Sequence, residues 1–130
     1  MDNMSGETPP KILIVDDSKL ATTMLHDGLR QNGFEVVIAF DGLEGLRQVQ
    51  KEKPDLIILD RHMPLMEGDR FMVELVKACG DATPPVILLT AGDQDNEPPR
   101  CAGVSCCLRK PVRAEELLTK INACLQARNG

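Results

Sequence analysis

The sequence lacks a surplus of basic residues, a long apolar run and an apolar segment close behind its first methionine. Its 15 Lys and Arg residues stand against 20 Asp and Glu residues, and the net charge of −5 disfavours a nucleic-acid-binding surface. No stretch approaches the roughly 18 consecutive apolar residues of a membrane span, and no signal peptide is recognisable. We therefore expect no direct nucleic-acid binding, no membrane insertion and a cytoplasmic location.

The five cysteines are odd in number and include no CxxC pair, so a zinc site is not expected. Cys106 and Cys107 are neighbours on a predicted strand, where successive side chains point to opposite faces and cannot easily bridge. We interpret the thiols as small, buried or half-buried hydrophobes in a reducing cytoplasm, with a redox role as the alternative that stays open.

The 130 residues suit one ordinary domain, and the composition of 42% hydrophobic and 27% charged residues is globular. Residues 1–10 are polar with a Pro pair, which predicts a flexible tail ahead of a domain at 11–130. Apolar runs predict strands, and apolar residues at helical spacing between them predict helices. The strands are expected at 12–15, 36–40, 56–59, 86–89 and 105–108, and the helices at 18–31, 42–52, 69–79 and 113–127.

Three of the apolar runs are nearly unbroken Ile, Leu and Val, which is typical of parallel strands that are buried on both faces. Their alternation with helices predicts a doubly wound α/β fold with right-handed crossovers. The apolar stripes of the first two helices include Leu20, Met24 and Leu43. The fourth crossover, 93–102, contains Pro98-Pro99 and no stripe, so we expect at most a short helix there after an irregular acidic loop.

Chemistry-bearing residues follow the predicted strands. Asp16 and Asp17 follow the first strand, Asp60 the third, Thr90 the fourth and Lys110 the fifth. Binding sites of open α/β sheets form at these carboxyl ends. Two carboxylates 4 Å apart repel by about 4 kcal/mol at an effective dielectric near 20, so the cluster favours a hard cation such as Mg²⁺. A hydroxyl and an ammonium beside it suit phosphoryl oxygens, which indicates phosphoryl transfer to a carboxylate nucleophile.

These residues resemble the response-regulator receiver family of two-component systems. The order DD, D, T and KP after strands one, three, four and five is similar to that family, and DRHMPLMEG at 60–68 resembles its D-x-x-M-P-x-M-x-G segment. Ala102-Gly103-Val104 resembles the small-residue step before the fifth strand. The resemblance covers roughly residues 11–127, and it implies a flavodoxin-like five-stranded sheet of order 2-1-3-4-5 with helices on both faces.

The resemblance also implies a role for each acidic residue. Asp60 would accept a phosphoryl group from a phosphohistidine donor. Asp16 and Asp17 would hold Mg²⁺, with Mn²⁺ as an alternative, together with Asp60 and the main-chain carbonyl of His62. The donor would be a sensor histidine kinase or a phosphotransfer protein, and the protein would act as a signalling switch rather than as an enzyme on external substrates.

The remaining implied roles concern the phosphoryl group itself. Lys110 would pair with a phosphoryl oxygen, and the Lys110–Pro111 peptide would be cis. Thr90 would donate a hydrogen bond to the phosphoryl group and move inward on activation. The switch and pocket positions are Thr90, Ala91, Gly92, Cys107 and His62.

The sequence departs from the family pattern around this switch. Receivers usually carry an aromatic residue three positions before the lysine, but Cys107 stands there, and the chain has no Tyr or Trp. Gly92 offers no side chain to the pocket, and Pro98-Pro99 interrupts the fourth helix of the output face. We therefore expect intact phosphorylation chemistry with unusual coupling to an output partner, whose identity the sequence does not reveal.

Other interpretations remain at this point. Asp16 or Asp17 alone would suit a helix N-cap. An aspartyl-phosphate phosphatase would need a D-x-D motif on the first strand and a substrate cap. A nucleotide- or flavin-binding module would need a Gly-rich or Ser/Thr-rich phosphate loop there, where this chain has acidic residues. Whether the chain is a single-domain regulator or a receiver from a larger protein stays open.

Overall fold

The computed structural model describes residues 9–61, 66, 68–90 and 104–129. Five parallel strands form one sheet in the order β2-β1-β3-β4-β5. The strands are β1 (Lys11–Val15), β2 (Glu35–Ala39), β3 (Leu56–Asp60), β4 (Val86–Thr90) and β5 (Val104–Arg109). The helices are α1 (Lys19–Gln31), α2 (Gly42–Glu52), α3 (Gly68–Cys79) and α4 (Ala114–Asn129), with a short 3₁₀ turn at Gly80–Ala82.

The predicted fold class and strand order are confirmed, and each described element lies within two residues of its sequence-predicted bounds. This agreement arises because unbroken apolar runs and helical stripes are local signals. The short helix expected in the fourth crossover at 93–102 lies outside the described residues, as do residues 1–8 of the expected tail.

The sheet separates two apolar cores, because successive strand side chains point to opposite faces. Leu13, Val15, Ile57 and Leu59 face one core, where they pack with residues of α2 and α3 such as Phe71. The alternate strand residues face the other core, where α1 and α4 cover them; these residues are Ile12, Ile14, Leu56, Ile58 and Ile87. Both faces are thus shielded, and only the strand ends are available for a polar site.

Three residues that the sequence placed in the apolar stripes of α1 and α2 are exposed rather than buried. Leu20, Met24 and Leu43 are 73%, 66% and 49% exposed, respectively, whereas Leu25 and Leu29 do pack on the sheet. A helix advances about 100° per residue, so Met24 is rotated away from the face that Leu25 presents. Apolar character alone did not identify the buried stripe. No helix in the described part of the chain has the length and apolar continuity needed to span a bilayer.

Helix α2 lies close to the sheet because Gly45 has no side chain. A Cβ atom at Gly45 would lie 3.0 Å from both the Phe71 ring and a Val15 methyl group. Both neighbours are completely buried, so neither can move aside easily. By contrast, a Cβ atom at Gly28 on α1 would meet nothing within 4 Å.

We expect Gly45→Ala to lower the free energy of unfolding by about 1–3 kcal/mol, because it overpacks a rigid core. The matched substitution Gly28→Ala should raise it by roughly 0.5–1 kcal/mol, because alanine reduces the backbone freedom of the unfolded chain. Urea unfolding of both variants measures the difference. Equal effects of the two substitutions would contradict the close packing at Gly45.

Candidate functional site

Backbone hydrogen bonds continue past the strands and fix the residues at their carboxyl ends. The Asp16 amide donates to the Ala39 carbonyl at 3.1 Å, and the Lys110 amide donates to the Thr90 carbonyl at 2.8 Å. Asp60 is the last residue of β3. The side chains of Asp16, Asp60 and Thr90 are buried within the top of the sheet. The sheet therefore brings together residues that are far apart in sequence.

The N-cap of α1 is Ser18, not either aspartate. Its hydroxyl accepts a hydrogen bond from the Ala21 amide at 3.1 Å, and its own amide donates to Oδ1 of Asp16 at 3.0 Å. The N-cap interpretation of Asp16 and Asp17 is thus replaced by one in which Ser18 caps the helix and orients Asp16. Sequence reasoning overlooked Ser18, although a serine directly before an apolar helical pattern is a recognised start signal.

Asp16, Asp17 and Asp60 form one carboxylate cluster. One oxygen from each lies within 4.8 Å of the others, with Asp16 and Asp60 buried and Asp17 exposed. The Lys110 ammonium lies 3.2 Å from Oδ1 of Asp60 and 3.9 Å from Oδ2 of Asp16. One cation therefore bridges the two buried carboxylates. All five residues that the sequence placed at strand ends, including Thr90, meet at this edge of the sheet.

The Asp16 carboxylate lies in an environment that disfavours its charge. Burial raises its pKa above the ordinary value, and repulsion by Asp60 and Asp17 adds to the rise, while the hydrogen bond from Ser18 and the Lys110 charge oppose it. Its Oδ2 atom is buried and accepts no hydrogen bond from the described residues. A buried, unsatisfied carboxylate oxygen beside two other carboxylates fits an oxygen-preferring divalent cation such as Mg²⁺.

Thr90 faces the fifth strand. Its hydroxyl donates to the Leu108 carbonyl over 3.4 Å, and the Cys107 thiol donates to the Thr90 oxygen over 3.9 Å. Both contacts are long, and a hydrogen bond near the distance limit is weak. The hydroxyl can therefore exchange this partner for a better acceptor at small cost.

Gly68, the first residue of α3, lies against Arg61, which directly follows β3. The Gly68 amide donates to the Arg61 carbonyl at 2.7 Å, and a Cβ atom at Gly68 would lie 3.0 Å from the Arg61 Cα atom. Only glycine fits this position without displacing the backbone beside Asp60. The final glycine of the D-x-x-M-P-x-M-x-G segment was the sequence signal for this requirement.

The Lys110–Pro111 peptide is cis, as expected. Three of the predicted site residues, His62, Ala91 and Gly92, lie outside the described residues. Their expected contributions, the His62 main-chain carbonyl as a metal ligand and the pocket positions, therefore stay predictions.

Residues 12–122 match the family described as "Response regulator receiver domain". The chain belongs to this family. It is thus a receiver domain of the two-component type, a family of signalling switches rather than of enzymes in the usual sense. The matched span includes every residue of the carboxylate cluster together with Thr90 and Lys110.

Individual relatives agree with this assignment. The transcriptional regulatory protein PrrA of Mycobacterium tuberculosis is 35% identical over 125 residues, which cover 95% of this chain and 53% of PrrA. The response regulator MprA of Mycobacterium leprae is 38% identical over 120 residues, which cover 89% of this chain and 51% of MprA. The receiver domain thus spans about half the length of these curated relatives.

Solved structures agree as well. A response regulator receiver domain protein from Clostridium thermocellum superposes with a TM-score of 0.80 at 32% identity, covering 92% of this chain and 97% of that one. The chemotaxis protein CheY4 of Vibrio cholerae superposes with a TM-score of 0.78 at 30% identity, covering 89% and 98%, respectively. The flavodoxin-like architecture is therefore shared over nearly the whole chain.

We expect Mg²⁺ to raise the melting temperature by several degrees, because a ligand that binds only the folded state at a hundredfold excess over Kd stabilises it by about 2.7 kcal/mol. Asp16→Asn should remove most of this shift, because it removes a buried negative charge from the cluster. Differential scanning fluorimetry with and without MgCl₂ measures the effect. As a matched control, Asp81→Asn changes an exposed carboxylate in the 3₁₀ turn and should leave the shift intact. An unchanged shift in Asp16→Asn would contradict cation binding at this cluster.

Proposed function

We propose that this receiver domain accepts a phosphoryl group on Asp60 from a phosphohistidine of a sensor histidine kinase or a phosphotransfer protein. The observation that carries the proposal is the position of Asp60. It is buried at the end of β3, within reach of two other carboxylates and 3.2 Å from the Lys110 ammonium. A nucleophile between a prospective cation site and a fixed ammonium suits transfer of a phosphoryl group, whose oxygens carry negative charge.

In the transfer step, a carboxylate oxygen of Asp60 attacks the phosphorus atom of the donor. The new P–O bond makes an acyl phosphate, and the P–N bond to the donor imidazole breaks with the electron pair going to nitrogen. The attacking carboxylate of Asp60 lies 3.2 Å from the Lys110 ammonium. The same ammonium then remains available to a phosphoryl oxygen.

The cluster residues would hold the cation that this chemistry uses. Asp16, Asp17 and Asp60 provide oxygen ligands, and we assign the main-chain carbonyl of His62 to the same site. When bound, Mg²⁺ or Mn²⁺ neutralises charge on the phosphoryl oxygens and so lowers the barrier to transfer. Ser18 fixes the orientation of Asp16 by donating its amide to Oδ1, which leaves Oδ2 of Asp16 as the oxygen that would bind the cation.

We further propose that Thr90 reports the phosphorylation state to the fifth strand. An acyl phosphate at Asp60 offers the Thr90 hydroxyl a charged acceptor, which forms a stronger hydrogen bond than the Leu108 carbonyl does. The hydroxyl then leaves Leu108 and Cys107, and β5 loses its contact with the switch. Because a small thiol stands where an aromatic ring is usual, we expect the resulting change to stay close to this strand. Ala91 and Gly92 are assigned to the same pocket.

The output of the switch is proposed from the relatives. PrrA carries the name of a transcriptional regulatory protein and MprA that of a response regulator, and each is about twice as long as the aligned region. We take residues 11–130 as the receiver domain after a tail at 1–10. It would control an output domain or partner protein through its surface, without contacting nucleic acid itself.

We expect the wild-type protein to gain one phosphate when it is incubated with acetyl phosphate and Mg²⁺, because Asp60 is the buried nucleophile of the cluster. Asp60→Asn should gain none, because an amide oxygen is a poor nucleophile. Intact-protein mass spectrometry measures the adduct. The matched control Asp81→Asn should be phosphorylated like the wild type.

Some phosphate donors are protein-specific, so the same comparison is repeated with a phosphorylated histidine phosphotransfer protein if acetyl phosphate gives no adduct. Phosphate on another residue, or on none with either donor, would contradict the proposed role of Asp60.

We expect the phosphate mimic beryllofluoride, added with Mg²⁺, to shift the backbone amide resonances of Thr90 and Leu108 by releasing the hydroxyl from the Leu108 carbonyl. Thr90→Ala should still bind the mimic but lose the shift at Leu108, whereas Thr90→Ser retains a hydroxyl and should keep it. Two-dimensional amide spectra measure these changes. Large shifts along all of β5 in both the wild type and Thr90→Ala would contradict a local switch through Thr90.

A further inference from the structure

A second group of reactive side chains lies at the opposite end of the sheet from the carboxylate cluster. A cavity of about 560 Å³ opens between β5, the second half of α4 and the segment that precedes β4. The thiols of Cys106 and Cys124 both line it, together with Lys120 and the apolar surfaces of Pro84 and Pro85. The proposed phosphoryl transfer uses none of these residues.

The two cysteines lie on different elements, β5 and α4, and 18 positions separate them in the sequence. Both line the same cavity, and both side chains pack against the same apolar core. Both thiols are reduced and only half-buried, so a small molecule in the cavity can reach them.

We propose that Cys106 and Cys124 form a redox-sensitive modification site, which hydrogen peroxide converts to a disulfide that joins β5 to α4. The inference does not depend on the proposed phosphorylation. The sequence left a redox role for the cysteines open, and this proposal assigns that role to Cys106 and Cys124. The neighbouring Cys107 is not part of it, because its thiol faces Thr90 instead.

The surroundings of Cys106 and Cys124 predict different roles for the two sulfur atoms in the oxidation. Burial, together with the adjacent Cys124, raises the pKa of Cys106 to about 11, so Cys106 keeps its proton. Lys120 precedes Cys124 by one helical turn and lines the same cavity. Cys124 is therefore the attacking sulfur, and Cys106 is the resolving thiol.

The reaction balances with peroxide as the only oxidant. The Cys124 thiol releases its proton to solvent, the thiolate attacks one peroxide oxygen, and the O–O bond breaks. The departing hydroxide takes up one proton from solvent, equivalent to the one that Cys124 released, and becomes water, which leaves a sulfenic acid on Cys124. The Cys106 sulfur then attacks the Cys124 sulfur, the S–S bond forms, and the S–O bond breaks. The proton of Cys106 leaves with that oxygen as water. Two thiols lose two electrons and two protons in total, and peroxide becomes two waters.

The disulfide bond would join β5 covalently to α4. β5 leads directly to Lys110, and α4 begins four residues after Lys110, so the bridge closes a loop around the lysine segment. A bridge restricts the unfolded chain and so raises the melting temperature. Oxidation would thereby stabilise the strand that supplies the ammonium of the carboxylate cluster.

The test is thiol counting on the full chain after treatment with a small excess of hydrogen peroxide. Alkylation under denaturing conditions should label five cysteines in the reduced protein and three in the oxidised protein, because two of the five are bridged. Tryptic digestion without reductant should yield residues 101–109 joined to residues 121–128. The oxidised protein should melt several degrees above the reduced protein.

Variants identify the partners, because residues 101–109 contain three of the cysteines. Cys106→Ser and Cys124→Ser should each abolish the bridge and the rise in melting temperature; Cys106→Ala replaces the former if it folds poorly. Cys107→Ser should retain both effects. Cys79→Ser is the matched control, because Cys79 is also a free, half-buried thiol but packs against the other core. Five labelled thiols after peroxide, overoxidation without a bridge, or a bridge that persists in Cys106→Ser would each overturn the proposal.

Discussion

Electrostatic crowding at the carboxyl edge of the sheet is the constraint on which the rest of the structure depends. Asp16 and Asp60 are almost completely buried, yet both lie within reach of Asp17 and of each other. Lys110 relieves part of the repulsion by bridging the two buried carboxylates. One Asp16 oxygen nevertheless lacks a hydrogen bond within the described residues, and the pKa of that carboxyl is raised. The site is thus arranged for added positive charge, at some expense of stability without it.

Such a strained cluster needs a rigid support, which the two apolar cores provide. Strands that are buried on both faces cannot shift without opening a cavity, so the carboxylates cannot separate to relieve their repulsion. Local features refine their positions. Ser18 caps α1 and holds one oxygen of Asp16, while the absence of a side chain at Gly68 lets the chain turn back on Arg61 beside Asp60.

The fifth strand connects the two ends of the molecule. At its carboxyl end it contacts Thr90 through Cys107 and Leu108 and leads into Lys110. Nearer its amino end, Cys106 lines a cavity that Cys124 of α4 also lines. The adjacent residues Cys106 and Cys107 therefore have different neighbours, because strand side chains alternate between the faces of the sheet. The proposed Thr90 switch and the proposed Cys106–Cys124 disulfide would therefore both act on this strand.

Local sequence determined the elements and the polar residues that lie at the strand ends, because unbroken apolar runs and the polar residues that end them need no knowledge of distant contacts. It did not determine which face of α1 is buried, so Leu20 and Met24 were wrongly assigned to the stripe. Tertiary structure alone decided that Lys110 bridges two carboxylates and that Cys106 and Cys124 line one cavity. Such contacts join residues far apart in the chain, and their distances exist only after the strands and helices have packed.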